Sequence, residues 1–308
     1  MKTEGWLIND CLTCIPNTKT LWHFLLDIFP NLIDKTNGYT PFHNLKIKIE
    51  NEIIKTKNPD FIIRNASYFP KLNTSAKSIS ILQDIRLNDE VQLEVCNQSD
   101  IVVCVSNYVK EKYKNKIKSK IEVVPVGTDF VLFDVINEKS ILQKELDILP
   151  NSIIFIGASN SYPKGFDMLM DVVNNTNYNF CFVMKDDWNE KHPRIKVFNK
   201  VNHFMLKRII NACDILICTS KEETLHLSGV EAAACNLPLV CSNVGIYHEM
   251  ENGKWGRLIK DYKVESFIKD IDFVFKNKNY FEPRKDFLEK GLDIESFNKK
   301  WIEIINKI

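Results

Sequence analysis

The chain has 308 residues, 44% apolar and 26% charged, an ordinary globular composition and a length that suits two domains, each able to bury its own core. Its 41 basic and 40 acidic residues leave a net charge of +1, so no global field draws it to nucleic acid or to an acidic polymer. The opening MKTEGWLIND lacks the apolar core of a signal peptide, and no apolar run approaches the roughly 18 residues of a membrane span. A cytoplasmic protein is therefore expected, with peripheral contact at a membrane still allowed.

In chain order, residues 6–12 form a first apolar strand. Residues 18–28 (TKTLWHFLLDI) form an amphipathic helix with Thr18 as its cap. A lysine-rich helix covers 43–56, and short apolar strands cover 60–64 and 78–82. Residues 90–98 are helical, 101–105 are a strand, and a strand at 121–125 closes the first half. A linker helix at 138–146 ends before Pro150. The second half restarts with a strand at 153–156 and a helix at 166–174. A strand at 180–184, a helix at 203–212, a strand at 214–218, a helix at 228–235 and a strand at 239–241 follow. The last helix, 294–308, carries Trp301 and Ile305 on one face. Alternating strands and helices predict an α/β protein with parallel sheets and helices on both faces. Two such halves make two doubly wound, Rossmann-like domains facing a central cleft.

Nine cysteines, among them Cys104, Cys181, Cys213, Cys218 and Cys241, sit mostly in or beside apolar elements and are expected to be buried free thiols. Cys11 and Cys14 have C-x-x-C spacing, but no second pair lies near them, so neither zinc nor redox chemistry is expected there.

The stretch 219–245 carries the most chemistry. Glu223 and Glu231 stand eight residues apart, at the passage from an apolar strand into an alanine-rich helix. The helix N-terminus offers free N–H groups and a positive dipole to an anion. A carboxylate on each side can accept hydroxyls. Phosphate in the middle with sugar hydroxyls at both ends describes a nucleotide-sugar.

This segment resembles the donor-site signature of glycosyltransferase family 4, retaining enzymes of the GT-B fold. Glu223, seven residues, Glu231, then AAACNLP and LVCSNVG follow that pattern. Three more blocks resemble the family in the right order: SDIVVCVSNYVKEKY from Ser99, IEVVPVGTDFVLF from Ile121 and FIGASNSYPKGFDMLMDVV from Phe155. The resemblance implies an N-terminal acceptor-side domain at 1–134 and a nucleotide-sugar-binding domain at 135–284. A C-terminal helix at 285–308 would cross back to the first domain.

The resemblance also implies residue roles. Glu231 would hold the ribose and Glu223 the transferred sugar. Lys164 would neutralise the leaving diphosphate, near Gly157 at the end of the preceding strand. An arginine usual soon after that glycine is missing, since Ala158 and Ser159 stand there. Phosphate binding then falls on Lys164, helix N–H groups and the hydroxyls of Ser159 or Ser161. TLHLS, residues 224–228, departs from the usual glycine-rich loop. Either the loop approaches the donor differently, or His226 itself touches phosphate or sugar, beside Leu227 and Ser228. Glu222 competes with Glu223, and spacing favours Glu223. On the acceptor side Gln83 and Asp84 stand where relatives place a histidine, and Asp84 could orient a hydroxyl or act as base. Asn17 and Thr18 occupy a turn near the acceptor. His23 is read as a packing residue.

Asp186 and Asp187 are adjacent and lack Asp-x-Asp spacing, so neither a metal nor another cofactor is expected. The implied activity is transfer of a sugar from a UDP- or GDP-sugar to a hydroxyl of a glycan, lipid or other acceptor, with retention. The expected partners are that donor and a glycan or lipid-linked acceptor, with no nucleic acid. Two alternatives stay open: a non-enzymatic nucleotide-sugar-binding subunit, and a nucleotide-sugar epimerase on the same fold.

Overall fold

Six parallel strands build the sheet of the first unit: β1 (Gly5–Ile8), β2 (Thr18–Thr20), β3 (Phe61–Asn65), β4 (Lys77–Leu82), β5 (Ile101–Cys104) and β6 (Lys120–Val123). They lie in the order β2-β1-β3-β4-β5-β6. The computed structural model describes residues 5–8, 18–20, 60–66, 75–85, 90–157, 162–185, 187–188 and 192–308. It divides into one unit of Met1–Pro125 with Phe297–Ile308 and another of Val126–Ser296. In the first unit, Ile101–Cys104 is buried along its whole length, as expected of a parallel strand covered on both faces. Helix α1 (Glu90–Gln98) follows β4, and helix α2 (Asn107–Tyr113) is capped by Ser106, whose Oγ accepts from the Val109 amide at 3.2 Å.

Thr18 corrects the sequence reading. It begins no helix: Thr18–Thr20 pairs in parallel with Gly5–Leu7. The β-branched threonines favour extended backbone, and a free ladder edge outweighs a local capping signal. Residues 9–12, 21–28 and 43–56, with their expected elements, lie outside the described residues, as do Cys11, Cys14, Asn17 and His23.

The second unit holds β7 (Ser152–Gly157), β8 (Asn179–Met184), β9 (Ile195–Asn199), β10 (Ile215–Cys218), β11 (Leu239–Ser242) and β12 (Gly256–Ile259). Their order, β12-β11-β10-β7-β8-β9, turns outward in both directions from the β7–β10 pair. Helices α3 (Lys139–Leu146), α4 (Phe166–Asn174), α5 (His203–Ala212), α6 (Leu227–Ala234), α7 (Val264–Lys276) and α8 (Pro283–Glu289) accompany them. One core layer joins Leu206, Ile209 and Ile210 of α5 to Val230 and Ala233 of α6. The other joins Leu169 and Val173 of α4 to Phe267, Ile271 and Val274 of α7, with Phe180 and Phe182 between. The two layers show helices on both faces of the sheet. The last helix, α9 (Ile294–Ile305), buries Phe297, Trp301 and Ile304.

Two charged side chains fasten the second unit. Asp214, at the amino end of β10, receives Lys139 at 2.9 Å and Lys278 at 2.7 Å. Burial alone would raise its pKa, but the two ammonium groups hold it below the usual carboxylate value. The Arg284 guanidinium donates to the carbonyls of Phe130 and Phe133, each at 3.0 Å, and to that of Ala234. All seven described cysteines are buried and free. Among the described residues, no helix is long and apolar enough to cross a membrane.

Candidate active site

The β7–β10 pair is the point where strand order reverses in the second sheet. Loops leaving the carboxyl ends of such a pair diverge and open a crevice. Here the two loops are laced together. After β7 the chain makes a short 3₁₀ turn, Tyr162–Lys164, and Gly165 then starts α4 in the left-handed conformation at φ 62°. After β10 the amide of Lys221 donates to the Pro163 carbonyl at 2.8 Å, and Thr219 Oγ1 donates to the Lys164 carbonyl at 3.2 Å. Tyr262 Oη fixes the Thr219 carbonyl at 2.7 Å.

Gly165 is required at this crossing. A Cβ there would collide with the Thr219 carbonyl oxygen and lie 2.5 Å from Tyr262 Oη. Gly165→Ala is expected to destabilise the protein by about 2 kcal/mol or more, since both backbone strain and a backbone clash act together. Urea unfolding measures it, and a variant as stable as wild type would mean the crossing relaxes freely.

The lacing sets Lys164 against Glu223. Lys164 Nζ stands 2.7 Å from Glu223 Oε1, and Ser220 Oγ donates to the same oxygen at 2.9 Å. The side chains are 25% and 12% exposed, so this pair is far less screened than a surface ion pair. Two residues singled out from motifs 59 positions apart thus touch.

Glu231 lies one turn into α6 and is 8% exposed. Its carboxyl has no hydrogen-bond partner among the described residues. Burial pushes its pKa up to about 7, and the neighbouring His226 offsets this only in part. A buried carboxylate without donors is costly to ionise, and a strongly shifted buried carboxyl beside a crevice is a candidate site group.

His226 sits immediately before α6 with φ 74° and ψ 64°. Its imidazole is buried, with Nδ1 2.7 Å from Tyr247 Oη and Nε2 3.1 Å from Ser228 Oγ. Hydroxyls at both nitrogens can donate or accept, so the ring is satisfied in either charge state. Burial opposes its protonation, but Cys218 and then Glu223 beside it outweigh this and raise its pKa above the ordinary histidine value. Leu227 and Ser228 form the first turn of α6, and their amides have no carbonyl four residues back within the helix.

Gly157 ends β7, where a Cβ would strike the Phe155 ring. Ala158, Ser159 and Ser161 lie outside the described residues. Gln83 and Asp84 follow the carboxyl end of β4 in the first unit, both half-buried, and Gln92 Nε2 donates to the Asp84 carbonyl at 2.8 Å. Thr18 is placed by its backbone alone, in β2.

Four contributors were not read from the sequence: Gly165, Ser220, Tyr247 and Tyr262. Gly165, directly before an amphipathic helix, carried a usable signal, and Ser220 lies three residues from Glu223. The two tyrosines come from distant turns and carried none.

Comparisons with known proteins identify the family and the fold. The family model for glycosyl transferases group 1 matches residues 138–293. An uncharacterized glycosyltransferase of Methanocaldococcus jannaschii is 26% identical over 212 residues, 66% of this chain and 56% of that protein. The match therefore spans little more than half the length of that relative. Among solved structures, Anabaena HepE in complex with UDP-glucose superposes with a TM-score of 0.74 at 15% identity, covering 99% of this chain and all of that one. Sucrose-phosphate synthase from Thermosynechococcus elongatus gives 0.71 at 12% identity, covering 96% of this chain and 82% of that one. At such identities the likeness is one of fold, and that fold is GT-B: two α/β units, each built on a parallel sheet. With more than half of its length matched by the family model, the chain belongs to the glycosyl transferases group 1.

Proposed function

We propose that the protein transfers a sugar from a UDP- or GDP-sugar to a hydroxyl of a glycan, lipid or other acceptor, with retention of anomeric configuration. The observation that carries this reading is the gathering of Lys164, Glu223 and the buried Glu231 around the first turn of α6, at the switch point of the second sheet. An ammonium and free helix amides suit a diphosphate, and carboxylates on either side suit a ribose and a hexose. HepE, in complex with UDP-glucose and with UDP, supports a uridine donor as the first to test.

Lys164 has a counter-ion within the protein, Glu223. An arriving diphosphate takes Lys164 for itself and releases Glu223 to the sugar hydroxyls. The bond from the anomeric carbon to the phosphate oxygen then breaks, and the charge gathering on that oxygen is met by Lys164 and the α6 amides. Such contacts strengthen in the transition state and so accelerate the step. The acceptor oxygen bonds the anomeric carbon on the face the phosphate leaves, and its proton passes to the departing phosphate. Gln83 and Asp84 of the first unit are proposed to contact the acceptor.

Calorimetric titration with UDP, GDP and their sugars tests the donor reading. One diphosphate nucleotide should bind much more tightly than its nucleoside, and its sugar should be hydrolysed slowly without acceptor. Failure of every nucleotide and nucleotide-sugar to bind would overturn it, and binding without any turnover would favour a non-enzymatic subunit. Because Lys164 and helix amides meet the phosphate charge, transfer should persist in EDTA. Loss of activity in EDTA that manganese restores would refute metal independence.

A further inference from the structure

The first turn of α6 owes its direction to an unusual residue. His226 adopts a left-handed backbone, which is unfavourable for any residue with a Cβ. No side chain caps the helix there. Something must hold residue 226 in place, and the imidazole contacts identify it. Tyr247, from the 3₁₀ turn after β11, is fully buried and places Oη 2.7 Å from His226 Nδ1. Its own ring is stacked on Trp255, at 5.3 Å between centroids and 14° between planes, so the hydroxyl is held by a rigid platform. Gly229 leaves the room for this contact: a Cβ there would collide with Tyr247 Oη and lie 2.5 Å from His226 Nδ1. Ser228 Oγ closes the other side of the ring at 3.1 Å.

We propose that Tyr247 is a positioning residue of the donor site: its hydroxyl, acting through the His226 imidazole, holds residue 226 in the left-handed turn that aims the Leu227 and Ser228 amides at the donor diphosphate. The inference rests on the donor reading above. Tyr247 is fully buried and would act on the donor only through His226. The His226 side chain serves as a brace on its own backbone, with its ring turned into the protein.

UDP affinity measured by calorimetry, beside thermal unfolding, tests it. Tyr247→Phe keeps the stacked ring and removes only Oη, and should weaken UDP about fivefold or more, the effect of losing one buried hydrogen bond. A core substitution away from the site, Ile271→Val in α7, should lower the unfolding temperature and leave UDP affinity as it was, separating positioning from general loosening. The decisive readout is rescue. Glycine enters the left-handed region without penalty, so His226→Gly should lose less UDP affinity than His226→Ala. Adding His226→Gly to Tyr247→Phe should restore part of what Tyr247→Phe lost. If wild type binds UDP and Tyr247→Phe binds it equally well, the positioning role is wrong and the donor site stands. Equal losses in His226→Gly and His226→Ala would also overturn it, since the imidazole would then act on the ligand directly. Wild type that binds neither UDP nor GDP would remove the donor reading itself.

Discussion

Glu231→Gln should yield a protein that is more stable at pH 8 and poorer at holding a nucleotide. In the folded protein burial holds this carboxyl at about 7, against 4.5 for an unperturbed glutamate. Between those values the folded state keeps a proton that the unfolded chain has lost. Wild type therefore loses stability as pH rises from about 4.5 to about 7, by about 3 kcal/mol in all, and the penalty is complete above that window. Glutamine has no such slope. The variant should match wild type near pH 5 and unfold several degrees higher at pH 8, where about 1–3 kcal/mol is recovered. UDP affinity should move the opposite way, because a ribose needs an acceptor-only carboxylate there. The same titration makes wild-type affinity fall about tenfold from pH 8 to pH 6, a dependence the variant should lack. Thermal melts and calorimetry at three pH values decide the matter. A variant less stable than wild type at pH 8 would mean that the carboxylate already has partners, and the proposed ribose role would fail.

The second large effect belongs to Glu223. Glu223→Gln removes the counter-ion of Lys164 while leaving an amide of the same shape beside Ser220. Free UDP should then bind a little more tightly than in wild type, because its diphosphate no longer displaces a carboxylate. Turnover of the nucleotide-sugar should nevertheless drop on the order of a hundredfold, since a negative group beside the sugar matters most as positive charge develops on it. Discrimination among donor sugars should blur as well. Initial rates beside titration of the free nucleotide separate the two effects. Weakened UDP with normal turnover at saturation would reverse the roles given to Glu223 and Glu231.

Much of the second unit could be read directly from the sequence. The helices expected at 166–174 and 203–212 occur with those bounds, because apolar residues three and four apart fix which face is buried. Strands β7, β8, β10 and β11 announced themselves as apolar runs between polar turns. Other elements were overlooked. Strand β9, IKVFN, is half-buried and carries two polar residues, so its pattern is weak. Helix α7 was missed although Phe267, Ile271 and Val274 follow helical spacing, a legible signal left unread. Thr18 shows the opposite failure, a local cap signal overridden by strand pairing. For the site, the Glu223–Glu231 spacing and the lysine before α4 were visible because each lies in one short segment. The Lys164–Glu223 contact depends on β7 and β10 being neighbours. The contact of Tyr247 with His226 depends on where the turn after β11 folds. Neither has a local signature. The inward turn of the His226 ring likewise follows from a backbone angle that sequence does not display.

The Arg284 contacts set the practical borders of the second unit. The stretch matched by the family model begins at residue 138, but Arg284 spends two of its donors on carbonyls at Phe130 and Phe133. A fragment cut at 138 would strip those acceptors and leave a half-buried guanidinium with Ala234 alone, next to the helix that carries Glu231. Anyone wishing to move the second unit into another protein should therefore place the splice point at Val126, so that the eight residues from Val126 to Phe133 travel with the cargo they brace.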